Sequence, residues 1–185
     1  MSLEEVASSS EDEVPDRAEQ TAATLERIFA ACFAEAYRTV LVGGGDEPLY
    51  VPSPEPESSP HRIVYRADYF ASALHEVAHW CLAGPERRTK EDYGYWYAPD
   101  GRSADQQAEF ERVEARPQAL EWLFSDACGF DFHLSADNLE GGFGPSERFE
   151  AAVAAARSRF LEEGLPDRAA RFRDALREAF VPSRG

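Results

Sequence analysis

The sequence predicts an α+β fold in which several helices pack against one small β-sheet. Apolar residues recur at helical spacing between residues 25 and 37, and further periodic segments lie near 146–163 and 166–180. Only the stretch 62–66 combines β-branched and aromatic residues in the manner of a clear strand. The 185 residues are enough for one domain with its own apolar core. We therefore expect a single domain in which helices outnumber strands.

The N-terminal part predicts an acidic leader followed by a helix. Residues 1–20 hold seven acidic residues and one arginine, are rich in serine and lack periodicity, which predicts a disordered leader. The folded catalytic domain is then residues 21–185. We expect the first helix, which starts near Leu25, to end at the triple glycine 43–45, with a short strand following at 49–51.

The remaining elements are predicted from caps, breakers and periodicity. Asp68 is expected to N-cap the second helix, which Gly84 and Pro85 stop after about residue 82. Pro117 is expected to kink or split the third helix. The other predicted elements are, in chain order, an exposed loop at 53–60, a strand at 62–66, an aromatic loop at 84–103, the third helix at 103–127, a short strand at 130–135 and two C-terminal helices.

Charge and composition narrow the classes of function. The net charge of −16 opposes contact with phosphate backbones, so direct nucleic-acid binding is not expected. The same charge suits a cationic substrate or a basic protein surface, and it also suits plain solubility. The longest apolar runs are too short for a membrane span, and the first residues lack the pattern of a secretory signal. We therefore expect a cytoplasmic protein without a membrane partner.

The three cysteines do not suggest a disulfide or a metal site. Cys32, Cys81 and Cys128 lie among apolar neighbours, and none belongs to a CxxC pattern. An odd number cannot pair completely within one chain. Buried, reduced thiols are the expected outcome.

The strongest chemical signal is the segment 75–79, which has the sequence His-Glu-Val-Ala-His. Residues four apart share one face of a helix, so the imidazoles of His75 and His79 can hold one metal ion with Glu76 beside it. At this composition the pattern is expected by chance about 0.01 times in the chain. The segment therefore predicts a metal centre.

Two histidines leave a metal site incomplete, and the next helix offers carboxylates for a third ligand. Glu114 is preferred, because Pro117 follows it closely and irregular helix segments tend to mark sites. Glu111, one turn earlier, is the reserve, although a single glutamate on such a helix can also belong to a solvated face. His61 and His133 are expected in surface or loop positions. The glutamates of this helix region are Glu109, Glu111, Glu114 and Glu121.

The aromatic segment 92–102 is a second candidate site. It reads Asp-Tyr-Gly-Tyr-Trp-Tyr-Ala-Pro-Asp-Gly-Arg. Aromatic faces next to carboxylates can receive an alkylammonium group by cation–π attraction. Tyr95, Trp96 and Asp100 are the predicted substrate contacts, and packing of the rings over the core explains the segment equally well.

Taken together, these motifs resemble the elongation factor P hydroxylase family of bacterial proteins. HExxH alone is shared by many unrelated hydrolases, whereas its combination with GYWYxPDGR and VExxPQAL is far more specific. The blocks that carry the resemblance span most of residues 25–180: DEPLY at 46–50, RIV at 62–64, ASALHEVAHWC at 71–81, GYWYAPDGR at 94–102, FE at 110–111 with VE at 113–114, PQAL at 117–120 and DNLEG at 137–141.

The resemblance implies an iron-dependent hydroxylase that modifies the β-lysylated lysine of elongation factor P, with dioxygen as cosubstrate. It implies an Fe(II) site of His75, His79 and Glu114, on a fold similar to small metal-dependent ribonuclease-like or zincin-like proteins. Glu76 is then the catalytic residue, which handles protons beside the metal or orients His75. Dioxygen takes four electrons and the C–H bond gives two. The sequence shows no source for the other two and no 2-oxoglutarate-binding pattern.

Two other functions fit the same motifs. In a zinc hydrolase or peptidase, Glu76 would be the general base acting on metal-bound water. In a binding protein with a structural metal, the chain would dock on a translation factor without turnover.

Overall fold

The computed structural model describes residues 18–93, 103–135 and 144–181. Within these ranges five α-helices, one short 3-10 turn and one three-stranded sheet confirm the predicted α+β class. None of these helices combines the length and apolar character that a membrane crossing requires. The elements in chain order are α1 (Ala22–Tyr37), β1 (Thr39–Gly45), β2 (Leu49–Val51), β3 (His61–Arg66), α2 (Phe70–Leu82), the 3-10 turn (Arg87–Thr89), α3 (Ala104–Cys128), α4 (Glu147–Glu163) and α5 (Asp167–Phe180).

Two parts of the sequence-based organisation stay predictions. Residues 1–17 of the acidic leader lie outside the described residues, so the division into leader 1–20 and domain 21–185 is untested. The likeness to ribonuclease-like and zincin-like folds is untested in the same way. The loop 53–60 and the two C-terminal helices are where the sequence predicted them.

The sheet has the strand order β1-β3-β2, with β1 parallel and β2 antiparallel to the central strand β3. Strand β1 was not predicted, because the triple glycine was expected to end the first helix. That helix ends instead at Tyr37, where Arg38 adopts a left-handed conformation with φ of 47°. Gly43 lies inside β1 for a steric reason: its Cβ, if present, would come within 2.7 Å of the hydroxyl of Tyr65 and the carbonyl of Ala67.

Helix α2 packs against β3 on one side and α3 on the other. Leu74, Val77 and Ala78 on α2 are fully buried. The predicted N-cap at Asp68 was wrong, because the helix begins at Phe70 with Tyr69 as its N-cap. A turn closed by the Tyr69 amide donating to the Arg66 carbonyl, 3.2 Å away, occupies the preceding residues. The end of the helix at Leu82 is as predicted.

Helix α3 begins with a capping box between Ser103 and Gln106 and continues unbroken to Cys128. Pro117 lies inside it and is buried, so the predicted split does not occur. The predicted strand at 130–135 was also wrong. The side chain of Gln118 accepts from the Ser135 amide at 3.0 Å and donates to the Ser135 carbonyl at 2.7 Å, so these backbone groups bond to a side chain and not to a strand.

Aromatic side chains join the helices in one core. Phe29 and Phe33 of α1 contact Trp80 of α2 with ring centroids 5.2 and 4.9 Å apart, and both approach Phe172 of α5. Trp80 is 3% exposed. The three cysteines are buried free thiols, as predicted from the sequence.

The buried thiols predict a loss of stability at alkaline pH. Burial raises the pKa of Cys32 and Cys81, and it raises the pKa of Cys128 to about 11. The unfolded chain releases these protons near pH 8.5 while the folded chain retains them, so the free energy of unfolding falls as pH rises above about 8.5. Urea unfolding at increasing pH checks this. Cys128→Ala is expected to show a shallower fall, and a slope equal to that of the wild type would contradict the assignment to Cys128.

Candidate metal centre

The two histidines of the HExxH segment lie one turn apart on α2 and point to the same place. The Nε2 atoms of His75 and His79 are 3.0 Å apart, and their rings meet edge to face with centroids 4.7 Å apart. Their side chains are 23% and 12% exposed. The four-residue spacing therefore brings both imidazoles to one point, as predicted.

Glu114 of α3 reaches the same point from the neighbouring helix. Its Oε1 lies 3.2 Å from Nε2 of His79, and its Oε2 lies 3.4 Å from Nε2 of His75. One ligand atom from each of these three residues lies within 4.8 Å of the others. The reserve candidate, Glu111, does not join them, because its carboxylate accepts a hydrogen bond from the Ser146 hydroxyl at 2.7 Å.

The donor set fits a divalent metal ion. Oε2 of Glu114 is buried, in a side chain that is only 3% exposed, and it accepts no hydrogen bond from the part of the chain that the structure describes. A buried carboxylate oxygen without a partner is costly, and a cation held between the carboxylate and the two imidazoles would remove that cost. Two imidazole nitrogens and one carboxylate oxygen are a ligand set for iron or zinc.

Glu121 completes the site from the next turns of α3, a role that the sequence analysis did not assign. Its Oε2 lies 2.8 Å from Nδ1 of His75. When Nδ1–H donates to this carboxylate and Nε2 gives up its proton, the Nε2 lone pair is available to a metal ion held with Glu114 and His79. The available signal was the spacing: Glu121 follows Glu114 by seven residues, which places both on one face of the helix.

The electrostatics of the centre lower the pKa of Glu114 and raise the pKa values of His75 and Glu76. Burial alone would raise the pKa of Glu114, but the neighbouring His79 and His75 outweigh it and lower that pKa. Burial alone would lower the pKa of His75, but Glu121 and, less strongly, Glu114 hold that pKa well above its ordinary value. Burial raises the pKa of Glu76, against the opposing effect of the two histidines.

Glu76 lies in a cleft next to the three candidate ligands. The side chain is buried, and the cleft encloses about 20 Å³, room for about one water molecule. Arg87 and Asp92 form an ion pair at this cleft, which raises the pKa of Arg87. The residues that line the cleft are Tyr50, Ile63, Glu76, His79, Trp80, Ala83, Arg87, Arg88 and Asp92.

The other residues singled out in the sequence are either outside the described part of the chain or away from the centre. Tyr95, Trp96 and Asp100 lie outside the described residues, so their role as substrate contacts stays a prediction. Nδ1 of His61 accepts from the Ser53 amide at 2.8 Å. His133 lies on an irregular segment, with its ring nitrogen 3.1 Å from the Asp131 carbonyl. Both histidines are away from the centre, as expected.

The contact between Glu121 and His75 predicts that substitutions of Glu121 lower the metal affinity by graded amounts. Glu121→Ala removes the acceptor of the His75 Nδ1 proton and is expected to weaken metal binding about 10- to 100-fold. Glu121→Gln retains an acceptor oxygen and is expected to lose less. Anaerobic competition with a chromophoric chelator measures both affinities, with Glu109→Ala as the control because Glu109 bonds to Arg112 on the exposed face of α3. Equal affinity in Glu121→Ala and the control would contradict the positioning role.

Comparison with known proteins decides the family. The elongation factor P hydroxylase family matches residues 28–184, which include the whole HExxH segment and all of α3. The chain belongs to this family. It is also 51% identical over 150 residues to a protein of Haemophilus influenzae named elongation factor P lysine hydroxylase, an alignment covering 80% of this chain and 83% of that relative. The resemblance drawn from the motifs is thus confirmed.

Proposed function

We propose that this chain is an enzyme that hydroxylates a lysine residue of elongation factor P at the centre of His75, His79 and Glu114. Membership of the hydroxylase family and the identity to the Haemophilus influenzae lysine hydroxylase support the reaction and its substrate. The observation that carries the location is the meeting of one ligand atom each from His75, His79 and Glu114, where a buried carboxylate oxygen of Glu114 has no donor among the described residues. The cytoplasmic location predicted from the sequence agrees with a translation factor as substrate.

The metal in this proposal is Fe(II), held by His75, His79 and Glu114. Two imidazoles and one carboxylate are the donor set of non-haem Fe(II) oxygenases, which leave further positions open. When bound, the iron supplies the dioxygen chemistry that hydroxylation of an unactivated C–H bond needs and that side chains lack. The same donor set holds zinc in hydrolases, but the family supports the hydroxylase over that alternative.

The side chains of this chain have separate tasks in the proposal. Glu121 holds the proton of His75 on Nδ1, so that Nε2 is available as a ligand. The carboxylate of Glu114 offsets the charge of the cation in a site that is closed to most solvent. Glu76, buried in the cleft that His79 also lines, holds or moves a proton at the reacting centre.

The charge of the protein suits the proposed substrate, a lysine that carries a β-lysyl extension with ammonium groups. The net charge is −16, so the field of the whole protein attracts a cationic side chain. We keep Tyr95, Trp96 and Asp100 as proposed contacts for this extension, because they follow Asp92 closely in the chain and combine ring faces with a carboxylate.

The test is the intact mass of β-lysylated elongation factor P after incubation with this protein, Fe(II) in excess as metal and reductant, and air. A gain of one oxygen atom is expected, with no gain in an anaerobic control or with the unlysylated factor. An unchanged mass with fully metal-loaded protein would contradict the proposed function. Cleavage of the factor by the zinc-loaded protein would favour the hydrolase.

A further inference from the structure

Three buried N–H groups beside the cleft have no acceptor among residues 18–93, 103–135 and 144–181. They are Nε1 of Trp80, Nε of Arg88 and Nη1 of Arg168. Trp80 and Arg88 line the cleft that also contains Glu76 and His79, and Arg168 donates to the carbonyl of Ala83, another residue of that lining. All three unpaired atoms are hydrogen-bond donors, so a ligand that pairs with them must supply an acceptor atom.

These donors belong to one contiguous cluster, which we call the Trp80–Arg88–Arg168 cluster. The guanidinium carbon of Arg88 lies 5.6 Å from the ring centre of Tyr37 and 5.9 Å from that of Trp80. The corresponding distances for Arg168 are 5.7 and 4.6 Å. Both cations therefore lie against the same two rings. Cation–π contact stabilises this arrangement but uses the ring faces and leaves the N–H groups unpaired.

The two positive charges also have no carboxylate partner among the described residues. Asp92, which lines the same cleft, is paired with Arg87. Nη2 of Arg168 donates to two uncharged groups, the carbonyls of Cys81 and Ala83. Burial and the adjacent charge of Arg88 lower the pKa of Arg168. Two neighbouring cations thus lack a counter-charge in a protein whose net charge is −16.

An oxyanion supplies what the cluster lacks. Buried donors are normally paired, and charged donors bind most strongly to anionic oxygen. A water molecule can accept from these donors but does not compensate the two charges. The cleft encloses about 20 Å³. This volume accommodates one oxygen atom of a small anionic group and excludes a bulky anion.

We propose that Trp80, Arg88 and Arg168 form a subsite that binds a carboxylate oxygen through the cleft beside the metal centre. The ligand class is a small carboxylate, either a free molecule or the acidic side chain of a protein. The subsite is a binding property and does not depend on the hydroxylation reaction, so it can be tested without turnover.

The test follows the indole N–H of Trp80 by ¹⁵N-resolved NMR during titration with sodium acetate. The chain has three tryptophans, and Trp80→Phe identifies the signal by removing it. We expect a saturable shift of this signal up to about 100 mM acetate, the range in which a millimolar site fills. Sodium chloride at equal ionic strength is expected to give no such shift. No saturable shift, or the same shift with chloride, would overturn the proposal.

A variant of Arg88 and a matched control separate the contribution of the Nε–H hydrogen bond to acetate binding from that of the positive charge. Arg88→Lys keeps the charge but has no Nε–H at this position, and it is expected to weaken acetate binding about tenfold or more. Arg116→Lys is the matched control, since Arg116 is an exposed arginine stacked on Phe160, and its affinity is expected to equal that of the wild type. Unchanged affinity in Arg88→Lys would overturn the assignment, and the wild-type titration decides the matter even if that variant fails to fold.

A second titration identifies the source of the carboxylate. A short peptide with blocked ends and one glutamate is the probe for an acidic side chain. If the peptide shifts the Trp80 signal with an affinity at least equal to that of acetate, the subsite takes a protein side chain. If only acetate does so, it takes a free small carboxylate. Both results support the subsite, and failure of both probes overturns it.

Discussion

Replacing Glu114 by alanine is expected to abolish metal binding and with it hydroxylation. The variant removes the carboxylate whose two oxygens lie 3.2 and 3.4 Å from the imidazole nitrogens of His79 and His75. Loss of a residue that only orients a ligand already costs 10- to 100-fold in metal affinity, so loss of a ligand is expected to cost at least about 100-fold. Metal content after anaerobic loading, together with the oxygen gained by elongation factor P, measures the effect.

The matched control for this prediction is Glu111→Ala. Glu111 lies one turn earlier on the same helix, but its carboxylate bonds to the Ser146 hydroxyl and not to a histidine. The control is expected to bind metal as the wild type does. A metal content that is retained in Glu114→Ala and lost in Glu111→Ala would show that the centre uses the other glutamate. Thermal unfolding of both variants shows whether each retains its fold.

Replacing Glu76 by glutamine is expected to stop turnover while leaving the metal in place. Glutamine preserves the shape of the buried side chain but cannot take up or release a proton near neutral pH. General acid–base catalysis contributes about 10²- to 10⁴-fold to a rate, so hydroxylation is expected to fall by about 100-fold or more. The rate of oxygen gain by elongation factor P and the iron content of the same sample are the two measurements.

Glu86→Gln is the control for the Glu76 variant, because Glu86 is 88% exposed and its carboxylate pairs with Lys90 on the surface. Normal turnover is expected there. Full activity in Glu76→Gln would remove Glu76 from the proton transfer. A loss of iron in parallel with activity would instead make it part of metal binding.

The metal centre was accessible from the sequence because its parts follow local rules. Helical spacing alone brings His75 and His79 to one face, and α3 was predicted close to its observed bounds. The choice of Glu114 over Glu111 depended on the position of Pro117. Glu121 was not assigned, because only the packing of α3 on α2 shows which histidine nitrogen it meets.

Features that depend on distant contacts were missed for physical reasons. The triple glycine indicates a helix stop when read locally, but it lies in β1, where the close approach of Tyr65 and Ala67 leaves no room for a Cβ on Gly43. The segment 130–135 has the composition of a strand, yet Gln118 bonds its last backbone groups. Arg168 lies on α5, far along the chain from Trp80, so no local sequence pattern predicts the Trp80–Arg88–Arg168 cluster.

The most direct test of the central claim is the anomalous X-ray scattering of iron in crystals grown anaerobically with Fe(II). One strong peak is expected within bonding distance of Nε2 of His75, Nε2 of His79 and a carboxylate oxygen of Glu114. A peak bound elsewhere, or a Glu114 carboxylate turned away from both imidazoles in the iron-loaded protein, would contradict the account.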